Sequence, residues 1–417
     1  MRRLLLMLLI SSIPLFLFAQ AQSQRVETIS GTLIQTIPSL KDFKQDPNLK
    51  LKVTRDNYGI ITMGRDKEEV DEAPMQKKYD YKKIDLNYVD PLRANQLNRG
   101  PDLVPQAIEV DKNYDGMLYT NVAPADPTVV VGPNHVIQMI NGSSGAYFKI
   151  WNKSGTVVVN QTYLTALVGG GYTAFGDPIV VYDHITDRYM MTEFGSVPTG
   201  LSYPNSLIVA YSQTSDPAGA WKVYKFTVPN TFVDYPKFAV WTNMYVASSN
   251  NFNSAGTAYL SSSIYAFDKA DLLAGAATVD MQKVDLTEPA SDRYYSMSPV
   301  NLLGTAPPAG TPGMIMYLHD NEWTTVGTDV DSIGIISFNV DFATPANTTV
   351  AFKSYVSAPF KTSVANTPVP GGSTIQNLNF RFMNRIVYRN FGTHQAIVGA
   401  QTVDAGGNKA GIRWSDL

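Results

Sequence analysis

Short apolar runs separated by polar turns recur through most of the chain. One such unit is GDPIVVYDHITDRYMM at 176–191, where an Asp-Pro pair precedes an apolar run, a polar turn and a second apolar run. Segments 126–139 and 234–246 follow the same plan, and the aspartates that open the three copies are spaced by 51 and 57 residues. A spacing this regular indicates an internal structural repeat.

Two looser copies follow, with paired apolar runs at 298–303 and 313–317, and at 385–389 and 395–398. A third apolar run comes after each pair, at 146–151, 207–211, 263–267, 334–338 and 411–414. The first four of these lead through a turn into a further β-prone run. Each complete unit is therefore predicted to contain four short strands.

A repeat of about 50 to 70 residues with four short strands is typical of a β-propeller, whose radial blades leave only short sheet edges. A β-sandwich uses similar strands but does not predict a long-period repeat. The 23 Tyr, 18 Phe, 30 Gly and 25 Pro residues also favour short strands and frequent turns. We predict an all-β chain that forms a β-propeller of four-stranded antiparallel blades, with about five blades represented.

The first 21 residues have the pattern of a secretory signal peptide. Arg2 and Arg3 precede an apolar stretch at 4–18, and Ala19-Gln20-Ala21 forms a small-x-small cleavage site. No later segment approaches the roughly 18 unbroken apolar residues of a spanning helix. We expect an extracellular or cell-surface protein without a membrane span after cleavage.

Charge density divides the rest of the chain. Residues 22–120 contain 31 charged side chains in 99 positions, whereas residues 121–417 contain 36 in 297. We interpret 22–105 as a charged, partly disordered leader of unknown role, a solvated linker or wrapping arm, with strand potential at 28–37 and 49–62. The propeller is then expected at 106–417.

Composition excludes several classes of function. Loss of Arg2 and Arg3 would leave 31 basic and 36 acidic residues, a net charge of −5, which argues against nucleic acid or an anionic membrane as partner. The chain has no cysteine, so it has no thiol nucleophile and no cysteine zinc site. The sequence leaves the oligomeric state open.

Several phrases of the chain resemble those of a family of large secreted bacterial β-propeller proteins, for which no reaction is established. They are DPTVVVGPNHVIQMING at 126–142, GDPIVVYD at 176–183, DYPKFAVW at 234–241, DFATPANTT at 341–349, RIVYRNFGTHQAIVGAQTVDAGG at 385–407 and AGIRW at 410–414. The resemblance covers about residues 120 to 417 and implies a propeller with further blades. We therefore expect a fragment; in the alternative, segment 106–110 supplies a missing strand of the fifth unit.

A second, more remote resemblance is to the Asp-box turn of sialidase-like propellers, at SDPAGAW, residues 215–221. The segment departs from that pattern through Pro217-Ala218 and through Ala220, where threonine is usual. Asp-box turns shape a hairpin and are not catalytic. The resemblance therefore implies a sialidase-like architecture and no sialidase activity.

The aspartates at the starts of the repeated units are the first candidates for a site. Inner strands line the channel of a propeller, so Asp126, Asp177 and Asp234 are expected near one mouth of the ring as ligand-binding residues. Converging carboxylates suit Ca²⁺, the one cofactor that the sequence suggests. The alternative is structural: each aspartate caps a turn by binding backbone N–H groups.

The densest titratable patch of the propeller is His319-Asp320-Asn321-Glu322, directly after an apolar run. A histidine beside carboxylates can orient a general acid or base. The catalytic candidates are Asp177, Asp234, His319, Asp320 and Glu322.

Two functions remain open from the sequence. The leading hypothesis is a secreted protein that binds an extracellular glycan, protein or surface component through loops on one face of the propeller. The alternative is a carbohydrate-active hydrolase whose carboxylate acid and base lie at the propeller mouth.

Overall fold

The computed structural model describes residues 25–46, 48–51, 53, 87–93, 112–196, 204–229, 231–256, 258–286, 294–321, 330–370, 372 and 374–417. Within these ranges the strands dominate, with two short α-helices, Leu164–Val168 and Lys269–Ala274, and one turn of 3-10 helix, Pro345–Asn347. The strands form sheets of nine, seven, four and two members. The signal peptide, most of the leader and segment 106–110 lie outside the described residues.

Four four-stranded blades and one three-stranded unit follow one another along the chain. Blade 1 contains β2 (Thr128–Val131), β3 (His135–Gly142), β4 (Gly145–Asn152) and β5 (Val157–Tyr163). Blade 2 contains β6 (Thr173–Asp183), β7 (Arg188–Ser196), β8 (Ser206–Ser212) and β9 (Trp221–Thr227). Blade 3 contains β10 (Phe232–Val240), β11 (Met244–Phe252), β12 (Tyr259–Asp268) and β13 (Thr278–Leu286).

Blade 4 contains β14 (Ser298–Gly304), β15 (Gly313–His319), β16 (Ser332–Asn339) and β17 (Thr349–Val356). After the short pair β18 (Thr367–Pro368) and β19 (Thr374–Ile375), unit 5 contains β20 (Ile386–Asn390), β21 (Gln395–Asp404) and β22 (Ala410–Asp416). Neighbouring strands within each blade pair antiparallel. The predicted β-propeller of four-stranded blades, with five units in this chain, is confirmed.

The blades lie face against face around a common centre. Central strands such as β8 and β11 are buried at every position. This explains the lack of charged residues in both strands. The inner strands of blade 4 and unit 5 pair in parallel, with Val300 opposite Ile386. Across the centre, the Arg385 guanidinium donates to the Val180 carbonyl at 2.6 Å, so unit 5 also contacts blade 2.

A strand of the leader joins two blades into one sheet. β1 (Val26–Ile37) pairs antiparallel with β13 on one side and β9 on the other, so blades 2 and 3 become a nine-stranded sheet. Its Gly31 passes against the Phe226 ring, where any Cβ would overlap the aromatic carbons. The strand potential of 28–37 is thus realised at the outer edges of the two blades.

The leader contacts the propeller a second time at unit 5. The Arg413 guanidinium and the Asp90 carboxylate form an ion pair at 2.5 Å with both side chains buried. The Gly407 amide donates to the Tyr88 carbonyl at 2.9 Å. The described parts of the leader therefore contact the outer edges of blades 2 and 3 and also unit 5.

Three hydrophobic clusters hold the blades together. One lies between blades 1 and 2, one between blades 2 and 3, and one joins blade 3, blade 4 and unit 5. Over the residues that the structure describes, no helix is long and apolar enough to cross a membrane.

Candidate functional site

A residue with positive φ precedes the inner strand pairing of every unit. These corner residues are Asp126 (φ 42°), Asp177 (51°), Tyr235 (52°), Ser296 (53°) and Phe380 (63°). In blades 1 to 4 each lies two residues before the inner strand pairs regularly with its neighbour, at Thr128, Ile179, Lys237 and Ser298. In unit 5, Phe380 lies two residues before the isolated bridge of Phe382 to Gln401. We call the end of the propeller that carries these five corners the corner face.

The corner is a β-bulge. In blade 2, three steps along the inner strand, from Gly176 to Ile179, are matched by two steps on β7, from Phe194 to Thr192. Blade 3 has the same mismatch between Asp234 and Lys237. A bulge of this kind kinks the strand and re-aims its side chains. Positive φ is tolerated by aspartate and is strained for tyrosine and phenylalanine.

In blade 3 the corner residue lies one position later than the repeated Asp-Pro segments of the sequence predict. Tyr235, and not Asp234, occupies the position of Asp126 and Asp177, because an extra tyrosine separates aspartate from Pro236. The buried Asp234 carboxylate accepts the Tyr235 N–H at 2.9 Å. Asp234 therefore has the turn-capping contact of the structural alternative.

Two asparagines clamp the corners of neighbouring blades. The Asn141 side chain accepts the Asp177 N–H at 2.9 Å and donates to the Asp126 carboxylate at 2.5 Å. One amide thus brings the first two predicted residues together. Asn250 accepts the Ser296 N–H at 2.8 Å and donates to its hydroxyl at 3.1 Å, so this side chain ties blade 3 to the corner of blade 4.

The other side of the corner face is aromatic and cationic. The Tyr235 ring has the Lys237 ammonium 3.5 Å from its centroid and the Arg381 guanidinium 4.7 Å away. Arg381 also lies 5.7 Å from the ring of Tyr295. Blades 3 and 4 and unit 5 meet at this guanidinium through cation–π contacts.

The His319-Asp320 patch lies at the end of β15, and its Asp320 carboxylate is bonded to protein groups. The Asp320 carboxylate accepts the Thr362 N–H at 2.8 Å and its hydroxyl at 2.7 Å, and Asp320 is buried. Asp331 accepts the N–H groups of Asn321 and Phe360 at 2.8 and 2.7 Å. These contacts hold the strand connection after β17. Glu322 lies outside the described residues.

No three Asp, Glu or His side chains gather into a possible metal site within the part of the chain that the structure describes. The calcium hypothesis stays a prediction. The same applies to the catalytic assignments of Asp177, Asp234, His319 and Asp320.

Sequence reasoning missed a buried acid between blades 1 and 2. Glu193 lies in β7, is 1% exposed, and accepts the Ala146 N–H at 2.8 Å and the Thr165 hydroxyl at 3.2 Å. Burial raises the pKa of its carboxyl to about 8, although both hydrogen bonds favour the ionised form. The one feature of the sequence that points to this residue is a glutamate within the otherwise mostly apolar strand RYMMTEFGS.

A buried ion pair joins blades 2 and 3 away from the corner face. The Lys269 ammonium is 2.5 Å from the Asp183 carboxylate, which also accepts the Tyr245 hydroxyl at 2.9 Å. Burial opposes ionisation of Asp183, but the ammonium and hydroxyl contacts leave its pKa below the ordinary value. Asp183 also caps the turn after β6 by accepting the Ile185 N–H at 3.0 Å.

The Asp-box-like segment has a structural role. Asp216 accepts the Ala218 N–H at 2.9 Å, and the Trp221 indole donates to the Pro217 carbonyl at 2.8 Å. Trp221 is fully buried beneath this β8–β9 turn.

The chain matches no known protein-family model, and no curated protein matches it. Distant similarity exists to solved structures of carbohydrate-active and neuraminidase-like proteins. A thermostable family-43 glycoside hydrolase is 12% identical over 70% of this chain and 89% of that chain, with a TM-score of 0.31. An α-L-arabinofuranosidase from Lactobacillus brevis is 11% identical over 70% and 90%, with a TM-score of 0.33.

A subtype N11 neuraminidase-like protein of A/flat-faced bat/Peru/033/2010 (H18N11) is 10% identical over 70% of each chain, with a TM-score of 0.35. Similarities at this level establish neither a family nor an activity. The site therefore has to be interpreted from its own contacts.

Proposed function

We propose that this protein binds an extracellular glycan at the corner face and does not hydrolyse it. The observation that carries the proposal is the Asn141 clamp, which holds the partly exposed Asp126 and Asp177 next to each other. Carboxylate oxygens accept hydrogen bonds from neighbouring hydroxyl groups, the feature that every sugar presents.

The aromatic side of the corner face supports the same class of ligand. Tyr235 is partly exposed and has the Lys237 ammonium against its ring. A tyrosine offers an apolar body to the C–H face of a sugar ring and a hydroxyl to its polar edge. Acceptors on blades 1 and 2 and aromatic groups on blade 3 would together recognise both surfaces of a saccharide.

The described carboxylates favour binding over hydrolysis. A glycosidase needs two carboxyl groups on either side of the scissile bond, about 5 to 9 Å apart. Asp234, Asp320 and Asp331 instead accept hydrogen bonds from backbone N–H groups of the protein. Their contacts suit a structural role, and the partly exposed Asp126 and Asp177 remain the proposed ligand-binding carboxylates.

A glycan array followed by calorimetric titration tests the proposal. The informative variants are Asp126→Asn and Asp177→Asn, because asparagine tolerates positive φ and preserves the corner. Asp187→Asn is the matched control: Asp187 also has positive φ (54°) but lies in the turn after β6, at the opposite end of the strand. We expect each corner variant to weaken binding at least tenfold and the control to leave it unchanged.

The hydrolase hypothesis predicts a different outcome. Turnover of a glycoside by the wild-type protein, abolished in a folded Asp177→Asn variant, would contradict the binding proposal. The calcium prediction is tested in the same series by thermal melting with Ca²⁺ and with chelator; an unchanged midpoint would reject a stabilising ion.

A further inference from the structure

The buried Glu193 is connected to the Asn141 clamp through the backbone of blade 1. In β7, the residues on either side of Glu193 pair with Gly176 and Ile179, so Glu193 is the one residue that opposes the corner bulge of blade 2. From there its Oε2 atom accepts the Ala146 N–H of blade 1 at 2.8 Å. One residue thus links the corner of blade 2 to β4 of blade 1.

Ala146 is the cross-strand partner of Asn141. The Asn141 N–H donates to the Ala125 carbonyl at 2.8 Å. The Ala146 N–H donates to Glu193, so neither N–H bonds across the pair. In antiparallel pairs without mutual hydrogen bonds, the Cα atoms approach to about 4.5 Å. A displacement of Ala146 is therefore passed directly to Asn141, whose side chain holds the first two corners.

Gly145, in the turn between β3 and β4, shows how closely the two blades approach. A Cβ at Gly145 would lie 2.6 Å from Thr165 Oγ1 and 2.8 Å from Glu193 Oε2. Its φ of 103° also favours glycine. A carboxyl group packed this tightly against the turn cannot gain a hydration shell unless the turn moves.

The contacts of Glu193 suit a neutral carboxylic acid. A proton on Oε1 can be donated to the Thr165 hydroxyl oxygen at 3.2 Å, and that hydroxyl donates to the Ser144 carbonyl at 3.1 Å. Every polar atom of the acid then has a partner, because Oε2 accepts the Ala146 N–H. Burial raises the pKa of Glu193 to about 8, so the neutral acid predominates at neutral pH.

The neighbours of Glu193 offer no positive charge to its ionised form. Tyr172 interacts with it electrostatically, and burial holds the pKa of the Tyr172 hydroxyl well above its usual range, so this group stays neutral. On β6, Asp177 lies in the bulge that Glu193 opposes. The neighbours in β4, β8 and the first short helix are uncharged: Ala146, Ile208 and Leu164–Val168.

We propose that Glu193 is a positioning residue of the corner face, which holds the Asn141 clamp in its glycan-binding conformation only while its carboxyl group is neutral. This inference rests on the glycan proposal above. Ionisation would place a charge without a counter-ion against the β3–β4 turn, which is costly unless the turn moves and lets water in. Because Asn141 moves with Ala146, glycan affinity is full at pH 6 and falls as pH rises through 8.

Reading a glycan array at pH 6 and pH 9 with the full chain tests the proposal, and the printed saccharides are the probes. At pH 9 about a tenth of Glu193 is neutral, so the apparent affinity for saccharides bound at pH 6 should fall about tenfold. Glu193→Gln mimics the neutral acid and should remove this change. Glu27→Gln, at an exposed position of β1, is the matched control and should retain it.

Hydrogen exchange of the free protein reports on the clamp without any saccharide. The Asp177 N–H donates to the Asn141 side chain at 2.9 Å. At pH 9 it should exchange at least about tenfold faster in the wild type than in Glu193→Gln, and at pH 6 equally in both. If the variant does not fold, the protection of this amide in the wild type at the two pH values, relative to an unstructured peptide, decides.

The outcomes separate this inference from the glycan proposal. Equal affinity of the wild type at pH 6 and pH 9, or an equal loss in Glu193→Gln, would overturn the positioning role and leave the glycan proposal standing. Absence of binding at both pH values would contradict the glycan proposal, and exchange of the Asp177 amide would then decide whether Glu193 holds the clamp. Equal exchange in the two proteins at pH 9 would overturn that role.

Discussion

Blades 2 and 3 and unit 5 are built from the same antiparallel meander but differ in how their edges are covered. β1 pairs with the outer strands of both blades, and the indole of Trp221 on β9 is fully buried. The outer strand of unit 5, β22, pairs only with β21 among the described strands and leaves Ile412 70% and Trp414 66% exposed. The repeated sequence predicts the strands of each blade. Whether the outer edge of blades 2 and 3 is paired depends on β1 of the leader.

Each of the two regions also contains an ion pair, but the surroundings of the two pairs differ. Lys269 and Asp183 pair inside the packed junction of blades 2 and 3. Arg413 and Asp90 pair where a leader segment rests on unit 5. Removing one partner should lower the free energy of unfolding strongly where the remaining charged side chain cannot reach water. The loss should be smaller where the remaining side chain can become hydrated.

The largest effect is expected for Lys269→Met, which leaves the Asp183 carboxylate buried without its ammonium partner. Breaking a buried ion pair from one side destabilises proteins by about 3 to 5 kcal/mol. Urea unfolding of the variant measures this loss. The double variant Asp183→Asn/Lys269→Met is the control and should recover part of it; a loss below about 1 kcal/mol in the single variant would contradict the account.

The next effect is the pH dependence conferred by Glu193. Its pKa rises from 4.5 in the unfolded chain to about 8 in the folded one, so its stabilising contribution is complete below pH 4.5 and is lost as pH rises toward 8. Glu193→Gln cannot ionise and should gain a few kcal/mol relative to wild type over that window. Urea unfolding at pH 5 and pH 8 measures the difference, and a pH-independent difference would contradict the buried neutral state.

A smaller loss is expected for Arg413→Met. We expect segment 87–93, which carries Asp90, to separate from unit 5 in the variant and hydrate the carboxylate, so the loss should be about 1 to 3 kcal/mol. Hydrogen exchange of the Gly407 amide, which donates to the Tyr88 carbonyl, reports on that separation. Unchanged exchange together with a loss as large as that of Lys269→Met would remove the distinction between the two regions.

The smallest effect is expected for Trp414→Ala. An exposed side chain loses little on truncation, so the free energy of unfolding should change by less than about 0.5 kcal/mol. Trp221→Ala, in the closed region, is the matched comparison and should cost about 3 to 5 kcal/mol. Similar losses in the two variants would show that β22 is covered in the same way as β9.

Most of the strands could be predicted because the repeat is visible as apolar runs at a regular spacing. The pairing of β1 could not, since it joins residues about 250 positions apart, such as Ser30 and Asp280, and no local pattern encodes such a contact. The sequence could not predict that Tyr235 is the corner residue of blade 3. Asp-Tyr-Pro resembles the Asp-Pro pairs of blades 1 and 2, and only the strand register shows where the bulge lies.

The clamps left a signal that a closer alignment would have found. Asn141 and Asn250 each lie 14 residues after the proline of their corner, Pro127 and Pro236. Blade 2 has a longer turn and places Phe194 at the equivalent position, so the rule fails there. Arg381 could not be placed at all, because its cation–π contacts come from two other blades.

Hydrogen exchange with and without an oligosaccharide selected on the array tests the central claim, that the corner face is the binding surface. The account predicts slower exchange at residues 125–126, 176–177 and 235 in the complex, with unchanged exchange at 184–188 in the turn after β6. Protection confined to that turn, or absent from every corner, would contradict it.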